Sequence, residues 1–142
     1  MEIKWLKGTE DLSDPYYVRR EVFVKEQNID KDLEWDGMDA EADHIVIYID
    51  GQPVATGRII IDNGQYMLGR IAVLKEYRGR NLGRVLVENM MAKAFENGAD
   101  EIHIHAQTRV RGFYEKLGFE AYGELYEEAG IEHISMKAVR AK

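Results

Sequence analysis

Apolar residues in this chain follow the period of a strand in some stretches and the period of a helix in others. Alternating or continuous apolar runs predict strands at residues 2–6, 44–49, 54–61, 66–74, 101–106, 119–127 and 132–139. Helical spacing predicts helices at residues 14–27, from about 82 to a stop at Gly98, and at 109–117. Strands at both ends of this order predict an α+β domain, with a mixed sheet covered by helices on both faces.

Two details refine this outline. The first helix is expected to start at Asp14 and Pro15, because Asp is a good N-cap and Pro suits the first helical position. Residues 28–43 have no clear period and predict a long loop or an irregular helix, which is uncommon in a compact domain unless it has a function. With 142 residues, of which 45% are hydrophobic, the chain is predicted to form a single domain over residues 1–142.

Charge is distributed unevenly along the chain. The net charge of -7 argues against a nucleic-acid partner, because phosphate groups are bound by a dominantly basic surface. Residues 70–84 nevertheless carry five basic side chains and one acidic one, whereas residues 26–43 carry eight acidic side chains and one lysine. This separation suggests an anionic cofactor and a cationic substrate. A solvated acidic loop is the alternative interpretation of residues 26–43.

Other classes of partner are not expected. No apolar run approaches the roughly 20 residues that span a bilayer, and the first residues do not have the order of a signal peptide, so a cytoplasmic protein without a membrane partner is predicted. The absence of cysteine excludes disulfides and thiolate sites. His103 and His105 alternate on one strand face, but without a further ligand cluster in sequence they predict ordinary strand residues, and no metal is expected.

Residues 78–83, Arg-Gly-Arg-Asn-Leu-Gly, have the character of an anion-binding turn. They follow an apolar strand and open the long helix, whose first N–H groups have no intrahelical partner and whose dipole is positive at this end. Gly79 and Gly83 allow the main chain to approach a bound phosphate closely. An ordinary strand-to-helix loop with solvated arginines is the alternative for this segment taken alone.

Two motifs in this order resemble those of the Gcn5-related N-acetyltransferase (GNAT) superfamily. The family pattern of Arg or Gln, two residues, Gly, one residue, then Gly or Ala is similar to residues 78–83, with Asn81 in place of the usual glycine. Asn is the next residue most tolerant of left-handed backbone geometry. A second family signature, Phe-Tyr-x-Lys-x-Gly-Phe, is intact at residues 113–119, and residues 20–44 and 130–136 resemble a branch of small bacterial members.

The resemblance implies a fold and a cofactor. The fold is a central, mostly antiparallel sheet of about seven strands, and acetyl-CoA lies between the strands at 66–74 and 101–106. Its pyrophosphate accepts N–H bonds from the turn, and its pantetheine arm pairs with strand backbone. The residues that the resemblance assigns to cofactor binding are Ile71, Ala72, Val73, Arg78, Gly79, Arg80, Asn81, Leu82, Gly83, Gln107, Phe113, Tyr114 and Lys116.

The resemblance also implies an N-acetyltransferase in which a primary amine attacks the thioester directly in a ternary complex. Tyr114 occupies the family's position for the hydroxyl that protonates the departing CoA thiolate. His133 is the first candidate for the base that takes the amine proton, because histidine titrates near neutral pH. Glu26 and Glu34 are rivals, either as bases through water or as carboxylates that bind a cationic small-molecule acceptor.

Two other functions are open at this point. A non-catalytic module that binds acyl-CoA or serves a protein partner is the main alternative, although the presence of Tyr114 and a plausible base favours the enzyme. A nucleotide-dependent ATPase is less favoured, because the turn lacks the Gly-Lys-Ser/Thr ending that would hold a nucleotide and magnesium. Dimers are frequent in the family, so the resemblance allows a homodimer.

Overall fold

The computed structural model describes residues 1–140, except for the side chain of Leu33, and its strands form one seven-stranded sheet. The strands are β1 (Glu2–Lys7), β2 (Asp43–Ile49), β3 (Gln52–Asp62), β4 (Gln65–Val73), β5 (Glu101–Gln107), β6 (Glu120–Glu128) and β7 (Ile131–Val139). Their order in the sheet is β1-β2-β3-β4-β5-β7-β6, with β4 and β5 parallel and the other pairs antiparallel. The predicted strands and the mixed sheet are confirmed. Residues 141–142 of the predicted domain lie outside the described residues.

The predicted helices are present, but two of them change their winding along the segment. The helices are α1 (Ser13–Arg19), α2 (Lys31–Glu34), α3 (Leu82–Glu96) and α4 (Arg111–Lys116). The chain leaves α1 directly into a π-helical segment at Arg20–Glu26, so the predicted helix at 14–27 is helical throughout but changes its winding. The N-cap prediction for Asp14 is wrong, since α1 begins at Ser13 with Leu12 as its N-cap, and the Asp14 carboxylate instead accepts a hydrogen bond from the Tyr48 hydroxyl at 2.6 Å.

Helices α1 and α3 cover opposite faces of the sheet. Two adjacent residues of β3, Gly57 and Arg58, face these two sides. Successive residues of a strand point to opposite faces. A Cβ atom added to Gly57 would lie 2.6 Å from the Sδ of Met90 on α3, so this helix packs directly against the β3 backbone. The next residue, Arg58, reaches the Asp39 carboxylate on the side of α1 and α2. The predicted covering of both faces is therefore confirmed.

The hydrophobic core joins α3 to the sheet. The predicted apolar face of α3 is confirmed, because the following helical positions are buried: Leu82, Leu86, Met90 and Ala94. They pack against strand residues that include Ile45, Ile47, Ile102 and Ile104, all at most 2% exposed. Complete burial of one such side chain contributes roughly 1.5–3 kcal/mol, so this layer holds α3, and the turn that precedes it, against the sheet.

The sheet opens in its middle, between β4 and β5. These strands pair only where Tyr66–Leu68 lies beside Ile102–Ile104, and they separate beyond Leu68. On the outer sides the pairing continues, from β4 to β3 up to Val73 and from β5 to β7 up to Gln107. The two halves of the sheet therefore spread apart toward the carboxyl ends of β4 and β5, as the family resemblance implies.

Candidate active site

The separation of β4 from β5 opens a cavity of about 830 Å³. One side of its wall comes from β4 (residues 67–73), β5 (104–107), the turn before α3 (77–79 and 81–84), residues 109–114 with Tyr114, and the β6–β7 hairpin with His133. The other side comes from the first helical segment and the loop after it (residues 22–38) and from β3 (residues 58–62). Ligand sites of small-molecule enzymes commonly have volumes of roughly 300–1,000 Å³. The cavity is thus of the size that binds small molecules.

One end of the cavity is formed by the start of α3, which no side chain caps. The N-cap residue Asn81 has φ 63° and ψ 17°, and Gly79 has φ 83°, so both residues take left-handed conformations. Asn adopts this region more readily than most residues, which explains how it replaces glycine here. The first turn of α3 contains no acidic residue, so its free N–H groups and the positive end of the helix dipole are available to an anion.

Arg78 uses its guanidinium to tie this turn to the first helix. Nη1 and Nη2 donate to the two carboxylate oxygens of Glu26 at 2.6 and 2.7 Å, and Nε donates to the Val73 carbonyl at 3.1 Å. The hydrogen bonds from Arg78 hold the pKa of the Glu26 carboxyl below its usual range. Glu26 does not line the cavity. Its placement therefore does not support the predicted role of Glu26 as a base or acceptor ligand.

Most residues that the resemblance assigns to the cofactor lie on the cavity wall. Those that do are Ile71, Ala72, Val73, Arg78, Gly79, Asn81, Leu82, Gly83, Gln107, Phe113 and Tyr114. Arg80 does not, and its guanidinium lies over the Tyr77 ring at 5.1 Å from the centroid. Lys116 is exposed at the end of α4, away from the wall.

Gln107 lines the cavity, but its amide already has partners. Its Nε2 donates to Gln27 Oε1 at 3.0 Å, and its Oε1 accepts from Arg109 Nε at 2.9 Å. These bonds fasten the end of β5 to the segment after the first helix. A hydrogen bond from Gln107 to a cofactor, as the resemblance implies, would have to compete with them.

Tyr114 lies in the wall of the cavity between the two halves of the sheet. Its side chain is 8% exposed, and the rings of Phe113 and Phe119 pack against it with centroids 5.1 and 5.8 Å away. Burial raises the pKa of the Tyr114 hydroxyl to about 12. The hydroxyl therefore keeps its proton across the neutral range and can donate a hydrogen bond there.

His133 faces the same cavity from β7, and its surroundings fix which ring nitrogen is free. Nδ1 lies 2.7 Å from the Ile131 carbonyl, which can only accept, so Nδ1 carries a hydrogen and Nε2 of the neutral ring carries the lone pair. The ring is 7% exposed and stacks on Tyr126, with centroids 5.8 Å apart. Nε2 lies 3.7 Å from Glu128 Oε2. This oriented nitrogen can accept a proton inside the cavity.

Glu34 belongs to a buried network of charges. The network pairs three guanidinium groups with three carboxylates, from Arg19, Arg58, Arg70, Glu34, Asp36 and Asp39. Arg19 is 1% exposed, and its Nε and Nη1 donate to Glu34 and Asp39, each at 2.8 Å. Arg58 Nη1 donates to the same Asp39 oxygen at 2.9 Å. The acidic run expected to be solvated or to bind substrate is therefore, at these three positions, paired with arginine; Glu34 and Asp39 are buried, and Asp36 is exposed at the edge of the network.

This network changes the interpretation of Glu34 as an acceptor ligand. Glu34 touches the cavity, but its carboxylate accepts hydrogen bonds from Arg19 Nε at 2.8 Å and Nη2 at 3.2 Å, and Arg70 Nε lies 3.1 Å away. These contacts occupy the carboxylate, so the structure does not leave it free for a cationic acceptor. Its placement therefore does not support the predicted role of Glu34 as a base or acceptor ligand.

Sequence reasoning did not identify Arg70 or Glu128, although both line the cavity. Arg70 lies in a β-bulge, where β4 has one more residue between Gly69 and Ala72 than β3 has on the opposite strand. It has φ 49°, an unusual value for arginine, and no pattern in the sequence indicates this bulge. Glu128 precedes a recognisable turn, but only the fold brings it beside His133.

A metal centre and a membrane span have no counterpart in the part of the chain that is described. Over residues 1–140, no group of three or more His, Cys, Asp or Glu side chains is placed to hold a metal ion. His103 instead shares a hydrogen bond of 2.9 Å with the Tyr122 hydroxyl. Within the same residues, every helix is too short or too polar to cross a bilayer.

Comparison with known proteins places this fold and site in a family. The family model described as an acetyltransferase (GNAT) domain matches residues 10–140. The uncharacterized N-acetyltransferase YjcF of Bacillus subtilis (strain 168) is 39% identical over 131 residues, which cover 92% of this chain and 94% of that protein. A crystal structure of an acyl-CoA N-acyltransferase from Pseudomonas aeruginosa has a TM-score of 0.88 at 28% identity and covers 98% of this chain and 100% of its own. The crystal structure of Escherichia coli ElaA has a TM-score of 0.87 at 28% identity, over 96% and 98% of the two chains. The chain therefore belongs to the GNAT acetyltransferase family.

Proposed function

We propose that this protein transfers the acetyl group of acetyl-CoA to a primary amine of a small molecule, by direct attack in a ternary complex. The observation that carries the proposal is one cavity whose wall combines an uncapped helix N-terminus, a strand edge without a partner, Tyr114 and His133. The names of two relatives, an uncharacterized N-acetyltransferase and an acyl-CoA N-acyltransferase, support the same class of reaction. A cytoplasmic location and a homodimer stay predictions from the sequence.

The residues on the cavity wall fit a coenzyme A moiety. The free N–H groups at the start of α3 suit its pyrophosphate, and the glycine at position 79 adds no side chain there. Beyond Leu68, the edge of β4 that faces β5 lacks a strand partner. Its backbone groups can pair with the amides of the pantetheine arm, in the way that an added strand would. The apolar side chains of Ile71 and Val73 then need only pack beside the arm.

Bound acetyl-CoA supplies an acetyl group activated as a thioester. His133 Nε2 takes the proton of the incoming ammonium, which leaves a neutral amine whose nitrogen forms the new bond to the acetyl carbon. Backbone N–H groups near the bulge at Arg70 stabilise the negative charge that develops on the acetyl oxygen. The walls of the cavity hold both reactants in line, which in favourable cases contributes roughly 7–11 kcal/mol.

Tyr114 acts on the sulfur when the carbon–sulfur bond breaks and the sulfur leaves with the electron pair. Its pKa of about 12 lies well above that of a thiol, near about 8.5 in water. Tyr114 therefore stabilises the thiolate as a hydrogen-bond donor and keeps its own proton. The nitrogen of the new amide loses its remaining extra proton to solvent, and solvent supplies the proton of the released thiol as the product leaves. The hydrogen bond contributes less stabilisation than a complete proton transfer would. Because it strengthens as negative charge develops on sulfur, it stabilises the transition state more than the bound substrate and so lowers the barrier.

A thiol-release assay with acetyl-CoA across a panel of primary amines tests the proposal. We expect thiol release with at least one amine, and a Tyr114→Phe variant should lower kcat about 10- to 100-fold with little change in acetyl-CoA affinity. Tyr66→Phe is the matched control, because the Tyr66 hydroxyl donates to the Asn97 carbonyl and the residue does not line the cavity. An unchanged kcat in Tyr114→Phe would remove Tyr114 from the mechanism.

The pH profile of the same assay tests His133. In His133→Ala, we expect turnover to fall most at neutral pH and to recover as the amine loses its proton without help at higher pH. His103→Ala serves as the control, since His103 does not line the cavity. If His133→Ala keeps the wild-type profile, His133 is not the base. If acetyl-CoA binds but no thiol is released with any amine in the panel, the protein is an acyl-CoA-binding module and not an acetyltransferase.

A further inference from the structure

We infer that the preferred acceptor is a diamine or polyamine, whose second ammonium group is bound by Glu128 at the tip of the β6–β7 hairpin while its first amine meets His133. The inference rests on the proposed acetyl transfer and adds the chemical class of the acceptor. It follows from which negative charges beside the cavity are balanced by arginine and which are not.

The acidic run at residues 26–43 does not supply a site for a cation. Three of its carboxylates are neutralised by three arginines in the network, and Glu26, which does not line the cavity, is paired with Arg78. A carboxylate that is already paired gains little from a second cation and would have to give up charge-assisted hydrogen bonds. The attraction for a cationic acceptor must therefore come from another part of the wall.

The β6–β7 hairpin carries negative charge without such compensation. Residues 117–136 contain five glutamates and neither lysine nor arginine: Glu120, Glu124, Glu127, Glu128 and Glu132. Among the described residues, none of these five forms an ion pair with lysine or arginine. Glu128 is the member that lines the cavity, and its side chain is 55% exposed. The hairpin thus presents an available carboxylate at the edge of the cavity.

His133 provides an observation that is independent of this charge. It is 7% exposed and lines the cavity, yet its Nε2 makes no hydrogen bond to any described residue. Nε2 is therefore free to accept a hydrogen bond from a ligand in the cavity. The reacting amine gives its proton to this nitrogen and becomes neutral, so it cannot remain an ion-pair partner for Glu128. A cationic partner that Glu128 keeps throughout the reaction must therefore be a second amine of the acceptor.

The distance between the two groups limits the acceptor. Nε2 of His133 and Oε2 of Glu128 are 3.7 Å apart. With a hydrogen bond of about 2.9 Å at each end, the two nitrogens of the acceptor lie at most about 9.5 Å apart. A short diamine meets this limit. The start of α3, elsewhere on the wall, suits an anionic reactant, and Arg109 is a further basic side chain that lines the cavity.

Calorimetric titration in the presence of CoA compares 1,4-diaminobutane with butylamine, which have the same carbon chain. We expect the wild-type protein to bind the diamine about five-fold more tightly at low salt, which corresponds to about 1 kcal/mol for an exposed ion pair. This preference should shrink as salt is added. Glu128→Gln should abolish it, whereas Glu120→Gln, which makes the same charge change at the other end of β6, should keep it.

Two results would overturn the inference. One is equal affinity of the wild-type protein for the two amines at low salt. The other is an equal loss for both amines in Glu128→Gln with a shifted pH profile of thiol release, which would make Glu128 a positioning residue for His133. Binding is measured without turnover, so a failure of acetyl transfer appears as absent thiol release and is separate from a failure of diamine preference.

Discussion

Replacing Asp39 by asparagine removes the anion shared by two buried arginines. The Asp39 carboxylate is 7% exposed, and one of its oxygens accepts from Arg19 Nη1 at 2.8 Å and from Arg58 Nη1 at 2.9 Å. Asparagine has nearly the same size, but it carries no charge and turns N–H donors toward guanidinium groups that are themselves donors. The substitution therefore leaves positive charge in the interior without full compensation.

The expected loss of stability is large. Removing one partner of a buried ion pair costs about 3–5 kcal/mol, against a total unfolding free energy of about 5–15 kcal/mol for an ordinary domain. Because Arg19 and Arg58 keep their contacts with Glu34 and Asp36, we expect the lower end, about 3 kcal/mol. At roughly 3–4 °C for each kcal/mol in a chain of this size, Tm should fall by about 10 °C.

The effect should also depend on pH. Burial alone would raise the pKa of the Asp39 carboxyl, but the hydrogen bonds and charges of Arg19 and Arg58 lower it below its usual 3.8. The unfolded chain then binds a proton more readily than the folded one, so this stabilisation is present above about pH 4 and is lost as pH falls through the folded pKa. The difference between wild type and Asp39→Asn should therefore narrow in acid.

Urea denaturation followed by circular dichroism at pH 7 and pH 3 measures both effects. Glu41→Gln is the matched control, because Glu41 belongs to the same 3₁₀ turn (Asp39–Glu41) but is exposed and forms no ion pair with any described residue. We expect the control to change the unfolding free energy by less than about 0.5 kcal/mol. An equally small change in Asp39→Asn would refute the structural role of the network.

Two further substitutions test backbone features. Gly8→Ala should lower the unfolding free energy measured by thermal unfolding by about 2–3 kcal/mol, since a Cβ would overlap the backbone carbonyls of Asp39 and Ala40. The control Gly112→Ala, with open space around it on α4, should raise the unfolding free energy by up to about 0.5 kcal/mol. Equal effects of the two substitutions would contradict this packing. Asn81→Ala should lower the unfolding free energy measured by urea denaturation by about 1 kcal/mol, because residue 81 has a left-handed φ. Asn81→Gly should keep both the stability and the affinity for acetyl-CoA. An unchanged denaturation midpoint for Asn81→Ala would contradict that conformation.

The features that the sequence predicts correctly depend on neighbours along the chain. The apolar face of α3 follows from a spacing of three and four residues, and the strands follow from alternation and from turns such as Asp50-Gly51. Asn81 is the clearest case. A residue known to tolerate left-handed geometry stands where the family pattern has glycine, and the backbone there has φ 63°.

The features that sequence reasoning missed depend on contacts between distant residues. Arg19, Glu34 and Arg58 meet only because the first helix packs on β3, and the acidic run gives no sign of which carboxylates will have arginine partners. Glu26 was assigned a chemical role from its charge, yet Arg78, 52 residues later, occupies it. The bulge at Arg70 depends on the register between β3 and β4, which no local pattern encodes.

Acetyl transfer to an amine is tested most directly by mass spectrometry of the products. The protein is incubated with acetyl-CoA and 1,4-diaminobutane, and both the acetylated amine and free CoA are quantified over time. We expect the two products to form in equal amounts, at a rate proportional to protein concentration and about 10- to 100-fold lower in Tyr114→Phe. Bound acetyl-CoA without any acetylated amine, from this diamine or from the wider panel, would contradict the proposed function.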